Sequence, residues 1–217
     1  RGKRHAQMEV LATDVSDIVI TLDSDSILDS KAIHEGLQPF ADPKVHSVAG
    51  MVVVLNSRNN LLTFMTSMLY LPFTRGLRSA QSVLKRVMVN SGTLAFYRTP
   101  TIQKYAGVYE NERFRGKPMQ MNDDSLMTMY GLLEGHAVHQ PSAICFTLVP
   151  VKVSHYLNQQ FRWMRGTFVR TFWWFRYMKL TSITFWMPVM ELTQLLLSIV
   201  IPVALLMQTE PGDLKHI

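Results

Sequence analysis

The sequence predicts an α/β domain followed by an amphipathic interface helix and a membrane-spanning helix, and three stretches carry that prediction. Asp17-Ile18-Val19-Ile20-Thr21-Leu22 reads as a short buried strand running straight into Asp23-Ser24-Asp25-Ser26, so acidic residues stand at a strand's C-terminal edge, where open α/β sheets bind ligands. Leu126 to Glu134 has the pattern of a helix closed by Gly135, with Asn122, Asp123 and Asp124 at its N-terminus. Between Lys152 and Lys179 basic and aromatic residues recur at helical spacing, and a nearly unbroken apolar run then extends from Ile183 to Met207.

Taken in chain order, each element has a reason. Asp23 and Asp25, one residue apart, can share a hard divalent cation, and Mg²⁺ or Mn²⁺ held this way keeps its other positions for water and phosphate oxygens. The alternative is that Ser24, Asp25 or Ser26 caps the next helix and Asp23 is a turn residue. Residues 32–40 read as a helix, 45–55 as one or two strands, and 61–78 as a helix with apolar Leu62, Met65 and Leu69, all scaffold. At 122–124 the helix dipole favours anions, and one of the carboxylates can serve as a base toward a hydroxyl. The alternative is again a helix cap. His136 and His139 are spaced like a metal pair, but they follow the Gly135 stop without further ligands nearby and are not read as one.

The stretch Gln159-Gln160-Phe161-Arg162-Trp163 is the most informative. Arg162 is a fixed planar cation suited to a diphosphate, Gln159 can donate and accept hydrogen bonds, and Trp163 offers a face on which a sugar ring can stack. The alternative is an ordinary amphipathic helix with the ring packed and the charge solvated. Leu157, Phe161, Met164, Phe168, Phe172 and Phe175 recur three and four apart, which makes this a basic amphipathic helix set against a membrane surface or against the domain itself.

Together, Asp23-Ser24-Asp25, Ser91-Gly92-Thr93-Leu94 with Tyr97-Arg98, Asn122-Asp123-Asp124 and Gln159 through Trp163 resemble the catalytic region of family 2 processive glycosyltransferases, especially hyaluronan synthases and chitin-synthase-like enzymes, over roughly residues 1–180. Ser79-Ala80-Gln81-Ser82 matches a further landmark of that family, and Gly2-Lys3-Arg4 with Ala6 resembles its segment ahead of the metal motif. The resemblance implies a nucleotide-sugar (GT-A-like) domain truncated at its N-terminus. It implies that Asp23 and Asp25 hold the nucleotide diphosphate and its metal, Asp25 foremost as the ligand, that Lys3 or Arg4 lies on the donor side, and that Asp124, with Asp123 beside it, supplies the base. It further implies that Ser91, Gly92 and Thr93 line the acceptor sugar while Gln159, Arg162 and Trp163 clamp the diphosphate and the acceptor end. The chain departs from the family's usual pattern in having Thr93 in place of proline and Asn122 in place of glycine.

The implied partners are a UDP-sugar donor (UDP-N-acetylglucosamine, with UDP-glucuronate as a second), a growing polysaccharide acceptor and membrane lipid. The alternative product is chitin or a chitooligosaccharide made from UDP-N-acetylglucosamine alone. The expected organisation is a partial catalytic domain at 1–150, a basic interface segment at 151–180, a transmembrane helix at 181–208 and a tail at 209–217. The chain opens at Arg1 and lacks the strand-rich portion that grips uracil and ribose in such enzymes, so the expectation is a fragment.

Composition bounds this reading. With 217 residues, 47% hydrophobic and 18% charged, the chain can form one α/β domain plus a membrane-associated tail. The lone Cys145 excludes an internal disulfide and fits a reducing, cytosolic face of the cell membrane. The net charge of +6 is concentrated where no Asp or Glu occurs, between Gly135 and Met190, and basic residues ahead of the apolar run place the domain in the cytosol and the tail outside. A basic binding module for nucleic acid or acidic lipid would use that run but leaves both acidic motifs unexplained, so no nucleic-acid partner is expected. An inactive membrane-anchored piece is the other rival. No Gly-rich phosphate loop, Ser/His/Asp signature or internal repeat is present.

Overall fold

The computed structural model describes residues 3–119 and 122–208, so the expected tail lies outside the described residues. The chain divides into two compact units, Arg1–Arg170 and Thr171–Ile217. In the first, helix α1 (Lys3–Thr13) leads into β1 (Ile18–Leu22), an acidic turn and the short β2 (Ile27–Leu28). Then follow α2 (Ala32–Leu37), β3 (Val45–Val54), α3 (Leu61–Leu71), α4 (Arg78–Val83), β4 (Leu94–Arg98), α5 (Thr99–Lys104) and α6 (Ala106–Asn111). A small hairpin, β5 (Arg113–Phe114) and β6 (Lys117–Pro118), precedes α7 (Asp123–Glu134), β7 (His136–Thr147) and the long α8 (Val153–Tyr177), whose last turns belong to the second unit with α9 (Ile183–Gln208).

Prolines set two departures from the predicted boundaries. The helix expected over 32–40 stops at Leu37 and tightens into a 3₁₀ turn, Gln38–Ala41, around Pro39. The helix expected over 61–78 becomes α3 and α4 joined by a π-helical stretch, Pro72–Leu77, because Pro72 has no N–H for the regular ladder. Residues 45–54 form the single strand β3.

Five strands form one mixed sheet in the order β1-β4-β3-β7-β2. Among these strands β3 and β7 pair in parallel, from Val45 opposite His136 to Val54 opposite Thr147, and the other neighbours are antiparallel. The central strands are the most buried, as expected for near-continuous apolar runs. Ala32, Val48, Leu94, Phe96, Ala143 and Cys145 form a fully enclosed cluster where α2 packs on the sheet. Register also builds the site: Leu22 of β1 lies opposite Leu94 of β4, so the acidic turn after β1 meets the Ser91-Gly92-Thr93 segment entering β4.

Helix α3 is inverted relative to expectation. Its threonines Thr63 and Thr66 are buried, while Met65 and Leu69, expected as scaffold, are 57% and 60% exposed together with Phe64 and Met68. Leu157, Phe161, Met164 and Phe168 of α8 are likewise exposed, so this stripe does not pack as core.

In the second unit, Phe185 lies between Phe175 at 5.0 Å and Trp186 at 5.5 Å, and Trp186 Nε1 donates to the Leu180 carbonyl at 2.9 Å. The expected transmembrane helix at 181–208 does form as a helix, but among the described residues no helix is long and apolar enough to cross a membrane. Glu191, Thr193 and Gln194 interrupt the apolar run of α9 near its middle, where polar groups are costly in lipid.

A Cβ at Gly36 of α2 would overlap the buried ring of Phe96. Gly36→Ala should therefore destabilise the first unit by roughly 1–3 kcal/mol through overpacking, read from chemical denaturation. Phe96→Leu in the same background should recover part of that loss; an unchanged midpoint in Gly36→Ala would contradict the packing.

Candidate active site

The turn after β1 is closed by the Ser26 N–H on the Asp23 carbonyl at 3.1 Å. It presents Asp23 half-buried and Asp25 exposed. Lys3, in the first turn of α1, donates from Nζ to Asp23 Oδ1 at 2.9 Å across twenty residues of sequence. Burial lowers the Lys3 ammonium, but the hydrogen bond and charge of Asp23, then Asp123 and Asp124, outweigh it and leave the group raised. Gly92 completes this corner. A Cβ there would stand 3.2 Å from Lys3 Nζ and 3.4 Å from Asp23 Oδ1, so its missing side chain leaves the approach open.

The two carboxylates that open α7 have different fates. Asp123 is buried and takes a 2.9 Å ion pair from Arg4 Nε, with the two side chains only 11% and 8% exposed. Arg4 also donates to the Tyr109 carbonyl at 3.2 Å and lies over the Tyr109 ring. Asp124 makes no such ion pair among the described residues. Burial pushes its carboxyl above the ordinary range, the Ser125 N–H bond at 2.8 Å and one from Gly92 pull it back, and Asp123 adds to the rise while Lys3 opposes it. Of the two basic residues, Arg4 is committed to Asp123, and Lys3 faces Asp23.

Helix α8 reaches the same corner by two contacts. Asn122, left-handed at φ 62° just before α7, donates from Nδ2 to the Gly166 carbonyl at 2.5 Å. Trp163 lies against Tyr70 of α3 with ring centroids 6.4 Å apart and still exposes 42% of its surface. Arg162 is exposed, and Gln159 Oε1 is buried with no hydrogen-bond partner among the described residues.

Polar groups the sequence did not single out stand nearby. Arg78 is fully buried, its Nε and Nη1 make no hydrogen bond among the described residues, and burial pulls its guanidinium down to about 10. Asn90 has both side-chain polar atoms buried without a partner among the described residues, and beside it the Oγ of Ser91, which the sequence did single out, is likewise unpaired among them. The signal available was position: Arg78 directly precedes Ser79-Ala80-Gln81-Ser82. Those residues tie α4 to the sheet, since Ser82 Oγ accepts from the His139 N–H at 2.9 Å and Gln81 Oε1 from the Met88 N–H at 3.1 Å. His139 is buried, drawn down to about 4 by burial, and lies 3.3 Å from Ser79 Oγ, whereas His136 faces Asp42; they form no metal pair. Thr93 contributes its carbonyl to the Cys145 thiol at 3.6 Å.

Among the described residues no three His, Cys, Asp or Glu side chains converge into a metal cage. The hard donors at the end of β1 are the carboxylates of Asp23 and Asp25. Such a sparse oxygen set fits a Mg²⁺- or Mn²⁺-class ion whose remaining positions are filled by phosphate oxygens and water.

Comparison with known proteins agrees with the sequence resemblance. The profile of glycosyl transferase family group 2 matches residues 18–209. A hyaluronan synthase of Streptococcus pyogenes is 36% identical over 168 residues, 77% of this chain and 40% of that protein. An N-acetylglucosaminyltransferase of Rhizobium meliloti (strain 1021) is 35% identical over 172 residues, 79% of this chain and 40% of that protein. The chain therefore spans about 40% of the length of these curated relatives. Among solved structures, a mannosyltransferase of Pyrobaculum calidifontis in complex with GDP-Man and Mn²⁺ shares the fold at a TM-score of 0.60 and 21% identity, covering 82% of this chain and 45% of that one.

Removing Arg4 leaves a buried carboxylate uncompensated. Arg4→Met should cost roughly 3–5 kcal/mol of stability, while Lys3→Met, at a solvent-exposed pair, should cost about 0–1 kcal/mol. Thermal or chemical denaturation of the two variants side by side checks this; equal losses would show that the two ion pairs are not different in kind.

Proposed function

The chain belongs to family 2 of the glycosyltransferases, with an α/β GT-A-like fold, and from that premise we propose that it is the catalytic part of a membrane-surface, inverting, processive polymerase of the hyaluronan-synthase type. The observation that carries the reading is the contrast at the start of α7. Asp123 is bound by Arg4, while Asp124 has a raised carboxyl beside Gly92 and the Lys3–Asp23 corner.

On this reading the nucleotide sugar lies across the turn after β1, with its diphosphate toward Asp23, Asp25 and Lys3. A divalent ion there supplies charge neutralisation for the diphosphate, and Asp25, the exposed carboxylate of the pair, is its foremost ligand. The acceptor sugar lies along Ser91, Gly92 and Thr93 and stacks on Trp163. Asp124 accepts the acceptor hydroxyl proton as the new bond forms between that oxygen and the anomeric carbon. The bond from the anomeric carbon to the phosphate oxygen breaks in the same displacement, and Arg162, with Gln159, meets the charge that develops on the leaving diphosphate. Attack from the opposite face inverts the anomeric centre.

The donors we propose are UDP-N-acetylglucosamine and UDP-glucuronate, joined alternately. Near-equal similarity to a hyaluronan synthase and to an N-acetylglucosaminyltransferase favours a second reading, a chitooligosaccharide-type product from UDP-N-acetylglucosamine alone. Product analysis with each donor singly and with both distinguishes them. A position at a membrane surface is supported by the outward apolar residues of α3 and α8, with Lys152 and Arg165 available to anionic lipid.

Two predictions test the roles. Asp124→Asn in the full-length protein should lower turnover by roughly 10²- to 10⁴-fold with donor binding nearly intact. Because a carboxyl with a raised pKa opposes folding once ionised, the same variant should be more stable than the parent at neutral pH, an advantage that shrinks as pH falls through the Asp124 pKa. The parent's transfer rate should decline over that same descent, above the range of an ordinary aspartate. Near-normal synthesis by Asp124→Asn would move the base to Asp123 or elsewhere.

Arg162→Lys keeps a charge but loses the planar fork, so transfer should fall sharply at unchanged yield and thermal stability. Trp163→Phe should keep part of the activity, and Trp163→Ala should lose acceptor engagement with little change in UDP binding. An active Arg162→Lys enzyme would remove the clamp.

A further inference from the structure

Asn122 stands where the resembling family usually has glycine, and its backbone explains why few residues fit: φ is 62° and ψ 37°, the left-handed region. Asparagine tolerates that region better than most residues. At the entry to α7 an asparagine would ordinarily turn its side chain inward and cap the helix. Here it makes no cap bond. The amide instead crosses to α8 and donates to the carbonyl of Gly166 at 2.5 Å, forty-four residues away. The other half of the contact is equally specific. A Cβ on Gly166 would overlap Asn122 Oδ1 and come within 3.0 Å of its Cγ, so Gly166 is the residue that lets this side chain lie flat on the helix. A glycine inside a helix costs about 1 kcal/mol relative to alanine, and the three atoms nearest to where a Cβ would stand all belong to Asn122.

We propose that Asn122 and Gly166 form a latch that positions the clamp of α8 against the base of α7. The geometry is short on both sides. Asn122 is two residues before Asp124, and Gly166 is four after Arg162 and seven after Gln159, which places these three on one face of α8. A hydrogen bond at that point fixes both the distance and the rotation of α8 relative to the turn that carries Asp124. The inference rests on the reading of Asp124 as base and of Arg162 and Trp163 as clamp. Neither Asn122 nor Gly166 touches a reacting atom; both are positioning residues.

The test is reciprocal and uses the full-length protein. Gly166→Ala should push α8 away from Asn122 and lower kcat for polymer synthesis by roughly 10- to 100-fold, the scale expected for misplacement of about 1 Å. Asn122→Gly keeps the left-handed backbone and removes both the bond and the obstruction, so it should cost only several-fold in kcat. In the double variant, Asn122→Gly should suppress Gly166→Ala and restore activity to the level of Asn122→Gly alone. A residue needed only for helix stability would not be suppressed in this way, because its loss does not depend on what stands at position 122. Two results would overturn the latch: full activity of Gly166→Ala, or equal impairment by Gly166→Ala whether Asn122 is kept or replaced by glycine. If Gly166→Ala fails to accumulate as folded protein, the double variant still decides, since recovery of folded, active enzyme supports the contact and continued failure refutes it. Active Asp124→Asn and Arg162→Lys enzymes would instead show that the underlying reading has failed, whatever the latch variants do.

Discussion

Two carboxylates that follow one another in a chain cannot both be buried and ionised without help, and Arg4 is what resolves this for Asp123 and Asp124. Its guanidinium is almost wholly enclosed, bound to Asp123 at 2.9 Å and to the Tyr109 carbonyl, and stacked over the Tyr109 ring. A buried pair of this kind contributes little net stability but is costly to break, so it holds α1, α6 and the start of α7 in one arrangement. Two features of the site follow from that. With Asp123 held by Arg4, Asp124 is left as the carboxyl whose environment raises it, and Lys3, one residue before Arg4, is carried to Asp23.

Much of this was legible in the sequence, for identifiable reasons. The strand at 17–22 and the helix ending at Gly135 appeared where period and punctuation put them, because apolar alternation and a terminal glycine are local signals. The meeting of Asp23 with Gly92 was not local. It depends on β1 pairing antiparallel with β4 so that Leu22 faces Leu94, a register no single window contains. Arg4 and Asp123 lie 119 residues apart, and only the resemblance, not any pattern of charges, brought Arg4 into view. The contact left two traces in the sequence, Asn122 where the resembling family has glycine and Gly166 inside a long helix, but nothing local joined them. An interior glycine in a helix otherwise rich in large residues signals close approach.

The inversion of α3 shows where pattern reasoning fails and what the failure indicates. Threonine can be buried without loss if its hydroxyl is satisfied by its own helix, and Thr63, Thr66 and Thr74 each donate to the carbonyl three or four residues back, at 2.7 to 2.8 Å. Once those faces are self-satisfied, Phe64, Met65, Met68 and Leu69 are released to the outside. In water that arrangement forfeits burial worth roughly 1.5–3 kcal/mol for each large side chain. That the same exposure recurs on α8 is the observation on which the proposed membrane-surface position rests.

Lys3 and Arg4 occupy successive positions of one helix turn, and the difference between them is a difference in exchangeability. The Lys3–Asp23 pair is half-exposed, 50% and 38%, and pairs of that kind are worth roughly 0–1 kcal/mol. On the proposed reading, Lys3 and Asp23 would therefore exchange each other for a diphosphate and its ion at little cost. Arg4 has no such freedom. Its partner is buried, its bonds are several, and both side chains are too enclosed for solvent to replace them. On that reading, one turn of α1 places an exchangeable cation on the proposed ligand side and a fixed cation beneath the carboxylates, where movement would alter which of them could accept a proton.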